Sequence, residues 1–253
     1  QNIESVQLVK RLLEAATHSG SDLEHCFLST SGAMANENAL KMIFQKHAPA
    51  TRLLAFEDCF SGRTLALAQL TDRPQYRQGL PPTVHVDYVP FFDVNQPSDS
   101  TERAVTKLKE HLHRHPGQYA AMCFELIQGE GGYYPGDKAF FTALMETLKE
   151  NKIAVMVDEI QTFGRTPEPF AFQYYGLESF MDVVTIGKMS QICATFFSEE
   201  YNPKPGLLSQ TFTSSSSAIY AARAILKELL SGEYLGNQGK IAKYSEHFIR
   251  NLQ

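Results

Sequence analysis

Ile153-Ala154-Val155-Met156-Val157 is a run of five apolar residues, and Asp158 follows it directly. A short apolar run that ends in a charge is typical of a parallel strand covered on both faces. A second such run, from Val183 to Ile186, ends in Gly187-Lys188. The two segments predict neighbouring strands, one of which carries a carboxylate to its tip and the other an amine.

Strand and helix patterns alternate along the rest of the chain. Apolar runs predict strands at residues 26–28, 53–56, 84–89, 121–127 and 195–197, and helical patterns cover residues 32–47, 101–114, 138–150, 218–230 and 237–252. This alternation predicts an α/β fold with a mainly parallel sheet and helices on both faces. Functional groups in such sheets collect beyond the carboxyl ends of the strands, where Ser31, Glu125, Asp158 and Lys188 are expected.

The composition favours small-molecule chemistry over polymer binding. The 253 residues carry a formal net charge of -5, and no basic block favours nucleic acid or anionic lipid. No apolar run reaches the length of a membrane span, and the four cysteines lack metal-ligand spacing. Buried reduced thiols, rather than disulfides, and a cytoplasmic location are the expectations.

Asp158 and Lys188 together suit pyridoxal phosphate chemistry. A carboxylate keeps the pyridine nitrogen of that cofactor protonated, and a lysine amine holds its aldehyde as a Schiff base. Taken singly, Asp158 is better explained as a helix cap and Lys188 as a surface amine. The pair favours the cofactor site.

Ser31-Gly32-Ala33-Met34 precedes a predicted helix. Backbone N–H groups and the helix dipole at such a point can hold a phosphate, although small residues there are more often an ordinary N-cap. The presence of Asp158 and Lys188 favours the phosphate site.

Two further segments carry candidate ligand groups. Phe60 and Arg63 share a turn, where the ring can cover a planar cofactor and the guanidinium can bind a carboxylate. A core anchor and a solvated arginine are the alternatives. Glu125 ends an apolar strand, and Glu130 lies in the glycine-rich segment 128–132, where a plain turn explains the glycines but not both carboxylates.

These ordered blocks resemble the class III, or ω-amino-acid, aminotransferases of pyridoxal phosphate fold type I. The matching segments are Ser31 to Glu37, Phe60 to Thr64, Glu125 to Gly132, Val157 to Thr162, Gly187-Lys188 and Thr211. Ser61 and Leu126 depart from the usual His and Pro of the family. Residues 31–41 and 187–193 are most similar to lysine 6-aminotransferases.

The resemblance implies a role for each matching residue. Lys188 and Asp158 are expected to be catalytic, with Lys188 as the Schiff-base lysine and Asp158 paired with the pyridinium nitrogen. Thr211 is expected to reach the phosphate in the neighbouring subunit of a homodimer, and Arg63 and Glu130 to serve substrate binding, Glu130 as a switchable carboxylate. The remaining expected cofactor ligands are Gly32 and Ala33 for the phosphate, Phe60 for the ring face and Gln161 for the phenolic oxygen.

The resemblance also implies an activity and a division into domains. We expect a pyridoxal 5'-phosphate enzyme that moves an ω-amino group from a lysine, ornithine, acetylornithine or 4-aminobutyrate type of substrate to a 2-oxo acid such as 2-oxoglutarate. Residues 1–230 are expected to form the cofactor-binding large domain, and residues 231–253 a helix leading toward a C-terminal small domain. The family's N-terminal segment and the second arginine of its small domain are expected outside this chain.

Two other readings compete with this one. A catalytically incomplete paralogue or fragment acting as a scaffold remains open, because the terminal regions of the family are expected outside this chain. A nucleotide-binding α/β domain would require a glycine fingerprint and a ribose-binding acid, which the sequence does not contain.

Overall fold

The computed structural model describes residues 3–252, and the strands lie within this range. In chain order they are β1 (His25–Ser29), β2 (Arg52–Phe56), β3 (His85–Val89), β4 (Tyr119–Phe124), β5 (Ile127–Gln128), β6 (Tyr134–Pro135), β7 (Ala154–Glu159), β8 (Val183–Ile186) and β9 (Cys193–Phe197).

Seven of these strands form one sheet in the order β1-β9-β8-β7-β4-β2-β3. Strand β9 is antiparallel to both of its neighbours, β1 and β8. The four remaining pairs of adjacent strands, β8-β7, β7-β4, β4-β2 and β2-β3, are parallel. The reversal follows from the short connection between β8 and β9, since a parallel pair requires a long crossover. The predicted mainly parallel sheet is confirmed.

The helices are α1 (Ile3–Thr17), α2 (Gly32–His47), α3 (Leu67–Leu70), α4 (Pro97–Arg114), α5 (Lys138–Glu150), α6 (Ala171–Tyr175), α7 (Ser216–Leu229) and α8 (Lys240–Leu252). Helix α4 begins four residues before the predicted start at 101, because Pro97 lies in its first turn, where a proline is favoured. No helix among residues 3–252 combines the length and apolar character that a bilayer crossing requires.

Helices cover both faces of the sheet, as predicted, and the two faces differ in side-chain size. Under α2 the strands present small residues, including Ala55, Ala121 and Ala154, so the helix can lie close to the strands. The opposite face, which packs against α4 and α5, carries large rings such as Phe56 and Phe124. Alternation along each strand sends successive side chains to opposite faces.

Two features at the strand ends differ from the predicted pattern. The run predicted as one strand over 121–127 divides, because β4 ends at Phe124 and the chain turns through Glu125 into the hairpin of β5 and β6. None of the residues of α8 is buried, and Tyr244, Phe248 and Ile249 on it are exposed. The predicted domain division at residue 230 falls between α7 and α8 and stays a prediction.

Candidate active site

A cavity of about 330 Å³ opens at the carboxyl ends of β4, β7 and β8, against the start of α2. Its volume lies in the range of small-ligand pockets. The residues lining it are Gly32, Ala33, Phe60, Ser61, Gly62, Arg63, Thr64, Glu125, Asp158, Ile160, Gln161 and Lys188. Seven of the nine predicted site residues therefore line one cavity.

Asp158 lies at the tip of β7 and is 7% exposed. Its Oδ1 accepts a hydrogen bond of 2.9 Å from the backbone N–H of Ile160, and its Oδ2 accepts one of 2.7 Å from Nδ2 of Asn36. Burial raises the pKa of Asp158 from 3.8 to about 6, although these bonds and the charge of Lys188 act to lower it. The carboxylate is therefore ionised above about pH 6.

Asn36 is a site-supporting residue that the sequence reasoning missed. It lies in the second turn of α2 and is fully buried. Asn36, like Asn38, is an amide on the buried face of a helix, beside Ala39 and Leu40. This placement was the available signal, because buried polar groups need partners.

Lys188 follows β8 and begins a 3-10 turn, Lys188–Ser190. Its backbone φ is +53°, a left-handed conformation that costs a non-glycine residue about 1–3 kcal/mol. Its Nζ donates a hydrogen bond to Oε1 of the half-buried Gln161. The amine and the amide thus meet at the cavity.

The N-terminus of α2 forms one end of the cavity. Oγ of Ser31 caps the helix by accepting from the N–H of Met34 at 3.2 Å. The N–H groups of Gly32 and Ala33 are in the first turn, where a helix supplies no acceptor. A Cβ on Gly32 would lie 2.7 Å from Cδ1 of Ile160, so this close approach requires glycine. The result is a cradle suited to an anion.

The turn that carries Phe60 and Arg63 is stabilised by hydrogen bonds to the side chain of Thr71. Oγ1 of Thr71 accepts hydrogen bonds from the N–H groups of Ser61, at 2.9 Å, and Gly62, at 3.2 Å. Gly62 has a φ of +138°, which a residue with a side chain rarely adopts. Phe60 is half-buried, whereas Arg63 is exposed at the cavity mouth.

Glu125 and Glu159 are further buried carboxyls near Asp158. Burial, followed by the charge of Asp158, raises the pKa of Glu125 to about 7. Burial likewise raises the pKa of Glu159 to about 7, but its carboxylate turns to the opposite side of β7 and accepts from the N–H groups of Ala171 and Phe172. Glu159 therefore caps α6, and Glu125 faces the cavity.

Two predicted site residues lie outside the cavity. Glu130 is exposed on the turn between β5 and β6, where its backbone oxygen accepts from Arg73 at 3.2 Å. Thr211 is exposed and lines a separate cavity of about 450 Å³ near α1 and β1. Their predicted roles involve a switch and a neighbouring subunit, and both stay predictions.

The donor set of the cavity fits pyridoxal 5'-phosphate. The amine of Lys188 suits the aldehyde, the buried carboxylate of Asp158 suits the ring nitrogen, and the amide of Gln161 suits the phenolic oxygen. The free N–H groups of Gly32 and Ala33 suit the phosphate, and a Cβ on Gly32 would press against Ile160 in the cavity lining. These groups line one space of suitable size.

Comparison with known proteins also indicates a pyridoxal 5'-phosphate site. The family model described as aminotransferase class-III matches residues 1–253. An acetylornithine aminotransferase from Oceanobacillus iheyensis is 33% identical over 238 residues, covering 86% of this chain and 54% of the relative. One from Methanocaldococcus jannaschii is 30% identical over 267 residues, covering 99% and 60%. The chain spans somewhat more than half the length of these relatives.

Solved structures agree on the fold. A lysine aminotransferase from M. tuberculosis matches with a TM-score of 0.80 at 23% identity, covering 92% of this chain and 58% of that one. An omega-transferase from Vibrio fluvialis matches with a TM-score of 0.78 at 21% identity, covering 91% and 60%. These likenesses confirm the predicted fold of type I pyridoxal phosphate enzymes. The family match implies pyridoxal 5'-phosphate as the cofactor, and it shows that the chain belongs to the class-III aminotransferases.

Proposed function

We propose that this protein is a pyridoxal 5'-phosphate-dependent aminotransferase that moves the ω-amino group of a small amino acid to a 2-oxo acid. The observation that carries the proposal is the convergence of Lys188 and the buried Asp158 in one cavity beside the N-terminus of α2. The sequence relatives that act on acetylornithine, by their names, support an ω-amine substrate.

A group at the cavity mouth supports a substrate that carries a carboxylate. Lysine, ornithine, acetylornithine and 4-aminobutyrate types all carry an amine at one end and a carboxylate at the other. Arg63, exposed at the mouth, offers a planar guanidinium that can bind a carboxylate with two hydrogen bonds. The acceptor is a 2-oxo acid such as 2-oxoglutarate, and the two half-reactions follow a ping-pong order.

In the mechanism, bound pyridoxal 5'-phosphate supplies an aldehyde for the amine and a ring that accepts an electron pair. Asp158 holds a proton at the ring nitrogen, because its ionised carboxylate attracts that positive charge. Nζ of Lys188 accepts and returns the proton that moves during transfer, and Gln161 orients that amine through their hydrogen bond. Phe60 excludes water from one side of the cavity.

The assembly is also part of the proposal. A homodimer would bring Thr211 to the phosphate of the neighbouring site, and its exposed position is compatible with such a contact. Glu130, on an exposed turn, would pair with a second arginine in one half-reaction. We further propose a cytoplasmic enzyme, with residues 1–230 as the large domain and residues 231–253 leading toward a small domain.

The first test measures the cofactor site itself. Purified protein is mixed with pyridoxal 5'-phosphate, its visible spectrum is recorded, and the mixture is reduced with borohydride before peptide mapping. The expected result is a reduced adduct on Lys188 that is lost in Lys188→Ala. A protein without an adduct on Lys188 would overturn the proposal and favour an inactive scaffold.

Lys152→Ala is the matched control for this experiment. Lys152 is exposed, lies away from the cavity and has a φ of +56°, close to the +53° of Lys188. Both substitutions therefore place alanine in the same backbone conformation. The control variant is expected to retain the adduct, so that loss in Lys188→Ala reports the missing amine rather than backbone strain.

A second experiment identifies the amine. The protein carrying the cofactor is mixed with acetylornithine, lysine, ornithine or 4-aminobutyrate, without an acceptor, and the change in the visible spectrum is followed. An ω-amine is expected to convert the spectrum, and 2-oxoglutarate to restore it. Conversion by α-amines such as alanine, with none by ω-amines, would contradict the substrate class.

A further inference from the structure

The side chain of Asn36 connects three segments that lead to the cavity. Its Nδ2 donates to Oδ2 of Asp158 at 2.7 Å and to the backbone oxygen of Ser61 at 2.8 Å. Its Oδ1 accepts from Oγ1 of Thr185 at 2.7 Å. The three partners belong to the tip of β7, the turn that carries Phe60, and β8.

The orientation of this amide is determined by its partners. Oδ2 of Asp158 and the carbonyl oxygen of Ser61 are both acceptors, so the two protons of Nδ2 must point toward them. A flipped amide would place Oδ1 against two oxygens. Thr185 completes the arrangement, because its hydroxyl proton is donated to the remaining acceptor of Asn36.

We propose that Asn36 is a positioning residue that fixes the direction of the Asp158 carboxylate toward the ring nitrogen of the cofactor. This inference rests on the proposed function and deepens it. Because the same amide also binds the backbone of Ser61, it couples the position of Asp158 to the turn bearing Phe60. Asp158 and the turn bearing Phe60 are thereby held in a fixed position relative to each other.

The charge balance around Asp158 explains why such a donor matters. Burial acts against the ionised carboxylate, and Glu125, which lines the same cavity, adds a second acid. Lys188 and two polar donors, the N–H of Ile160 and Nδ2 of Asn36, oppose these effects. Glu159 and the buried thiols of Cys123 and Cys193 also interact with Asp158, and burial raises the pKa of all three groups.

The experiment compares Asn36→Ala with Thr185→Val and with a control, Asn38→Ala. Asn38 is buried on the same helix but donates to Oγ of Ser29 at 3.1 Å and does not line the cavity. Thr185→Val keeps the volume of the side chain and removes only the hydroxyl that orients Asn36. The first readout is the titration of the Asp158 carboxyl by ¹³C NMR in the cofactor-free protein, assigned by its loss in Asp158→Asn.

The second readout is the affinity for pyridoxal 5'-phosphate, measured from the visible spectrum. Asn36→Ala is expected to raise the pKa of Asp158 and to weaken the affinity about tenfold, since a hydrogen bond to a charged group is lost. Thr185→Val is expected to raise the pKa of Asp158 and to weaken the affinity as well, each by a smaller amount. Asn38→Ala is expected to leave both at the wild-type values.

The outcomes separate this inference from the proposed function. An unchanged titration of Asp158 in Asn36→Ala overturns the role of Asn36, even where the adduct on Lys188 forms. If Asn36→Ala does not fold, Thr185→Val decides, and wild-type titration and affinity in that variant overturn the inference. A wild-type protein without the Lys188 adduct contradicts the proposed function, whereas the titration in the cofactor-free protein still tests the effect of Asn36 on Asp158.

Discussion

The backbone N–H of Phe60 donates a hydrogen bond of 3.1 Å to Oε2 of Glu125. Oε1 of the same carboxyl accepts from the N–H of Gly129 at 3.0 Å. One buried side chain therefore joins the turn that carries Phe60 and Arg63 to the glycine-rich turn after β4. The first of these turns and Glu125 itself line the cavity, so the protonation of Glu125 affects how firmly the glycine-rich turn is held to the cavity wall.

Replacement of Glu125 is expected to give a stability difference that depends on pH. Burial raises the pKa of Glu125 from 4.5 to about 7 in the folded protein. The folded state thus binds this proton more tightly than the unfolded state, and the wild type loses stability as the pH rises from about 5 to 8. Glu125→Gln has no such proton, so it should gain up to about 3 kcal/mol relative to the wild type over that range.

Urea unfolding of the cofactor-free protein at several pH values measures this difference. Glu233→Gln is the control, because a hydrogen bond from Lys240 lowers the pKa of Glu233 below 4.5 and no histidine contributes to that shift. Glu233 is largely ionised in both states from pH 5 to 8, so its difference from the wild type should stay nearly constant. A constant difference for Glu125→Gln as well would contradict the prediction.

Substitution of Asp158 is expected to affect mainly amino-group transfer, and substitution of Glu159 mainly the stability of the fold. Glu159→Ala leaves the buried N–H groups of Ala171 and Phe172 without their acceptor, at a cost of about 3 kcal/mol. Asp158→Asn should change stability less and abolish amino-group transfer. Urea unfolding and the rate of the first half-reaction, measured on both variants, test this division; loss of transfer in a folded Glu159→Ala protein would refute it.

Gly32→Ala is expected to weaken cofactor binding by displacing Ile160. The new Cβ would lie 2.7 Å from Cδ1 of Ile160, and overpacking of this kind costs about 1–3 kcal/mol. Ile160→Val removes that methyl group, so the double variant should bind the cofactor better than Gly32→Ala alone. Spectroscopic titration with pyridoxal 5'-phosphate gives the affinities, and strictly additive losses would show that Ile160 is not the obstacle.

Phe60→Leu is expected to reduce cofactor affinity about fivefold to tenfold while the fold stays intact. The substitution removes an aromatic face, whose contribution beyond burial is about 1 kcal/mol, but keeps the backbone bond to Glu125. Phe60→Tyr is the matched variant that retains the ring. The same spectroscopic titration applies; equal affinities for the leucine and wild-type proteins would exclude a stacking role.

Much of the fold was predictable because its signals are local. The apolar runs that end in Asp158 and Lys188 reflect strands covered on both faces, and their charges mark the edge where those strands end. The grouping of Asp158 and Lys188 with Glu125 followed from the rule that ligands bind beyond the carboxyl ends of parallel strands, whereas Gln161 was assigned by the family resemblance.

The features that were not predicted depend on contacts between distant segments. Asn36 and Asp158 are 122 positions apart, and no local pattern encodes their hydrogen bond. The antiparallel direction of β9 results from the short connection after β8, which an apolar run does not reveal. The outward position of Glu130 similarly depends on the hairpin formed by β5 and β6.

The alternation along β7 has a consequence for how this chain can vary in length. Ala154, Met156 and Asp158 face α2, whereas Val155, Val157 and Glu159 face the opposite layer. A single inserted residue within this strand would exchange the two sets, sending the acid that faces the cavity into the cap of α6. Related chains can therefore gain or lose residues in the surface loops, but the number of residues from Ala154 to Glu159 must stay constant for the site to keep its side-chain orientations.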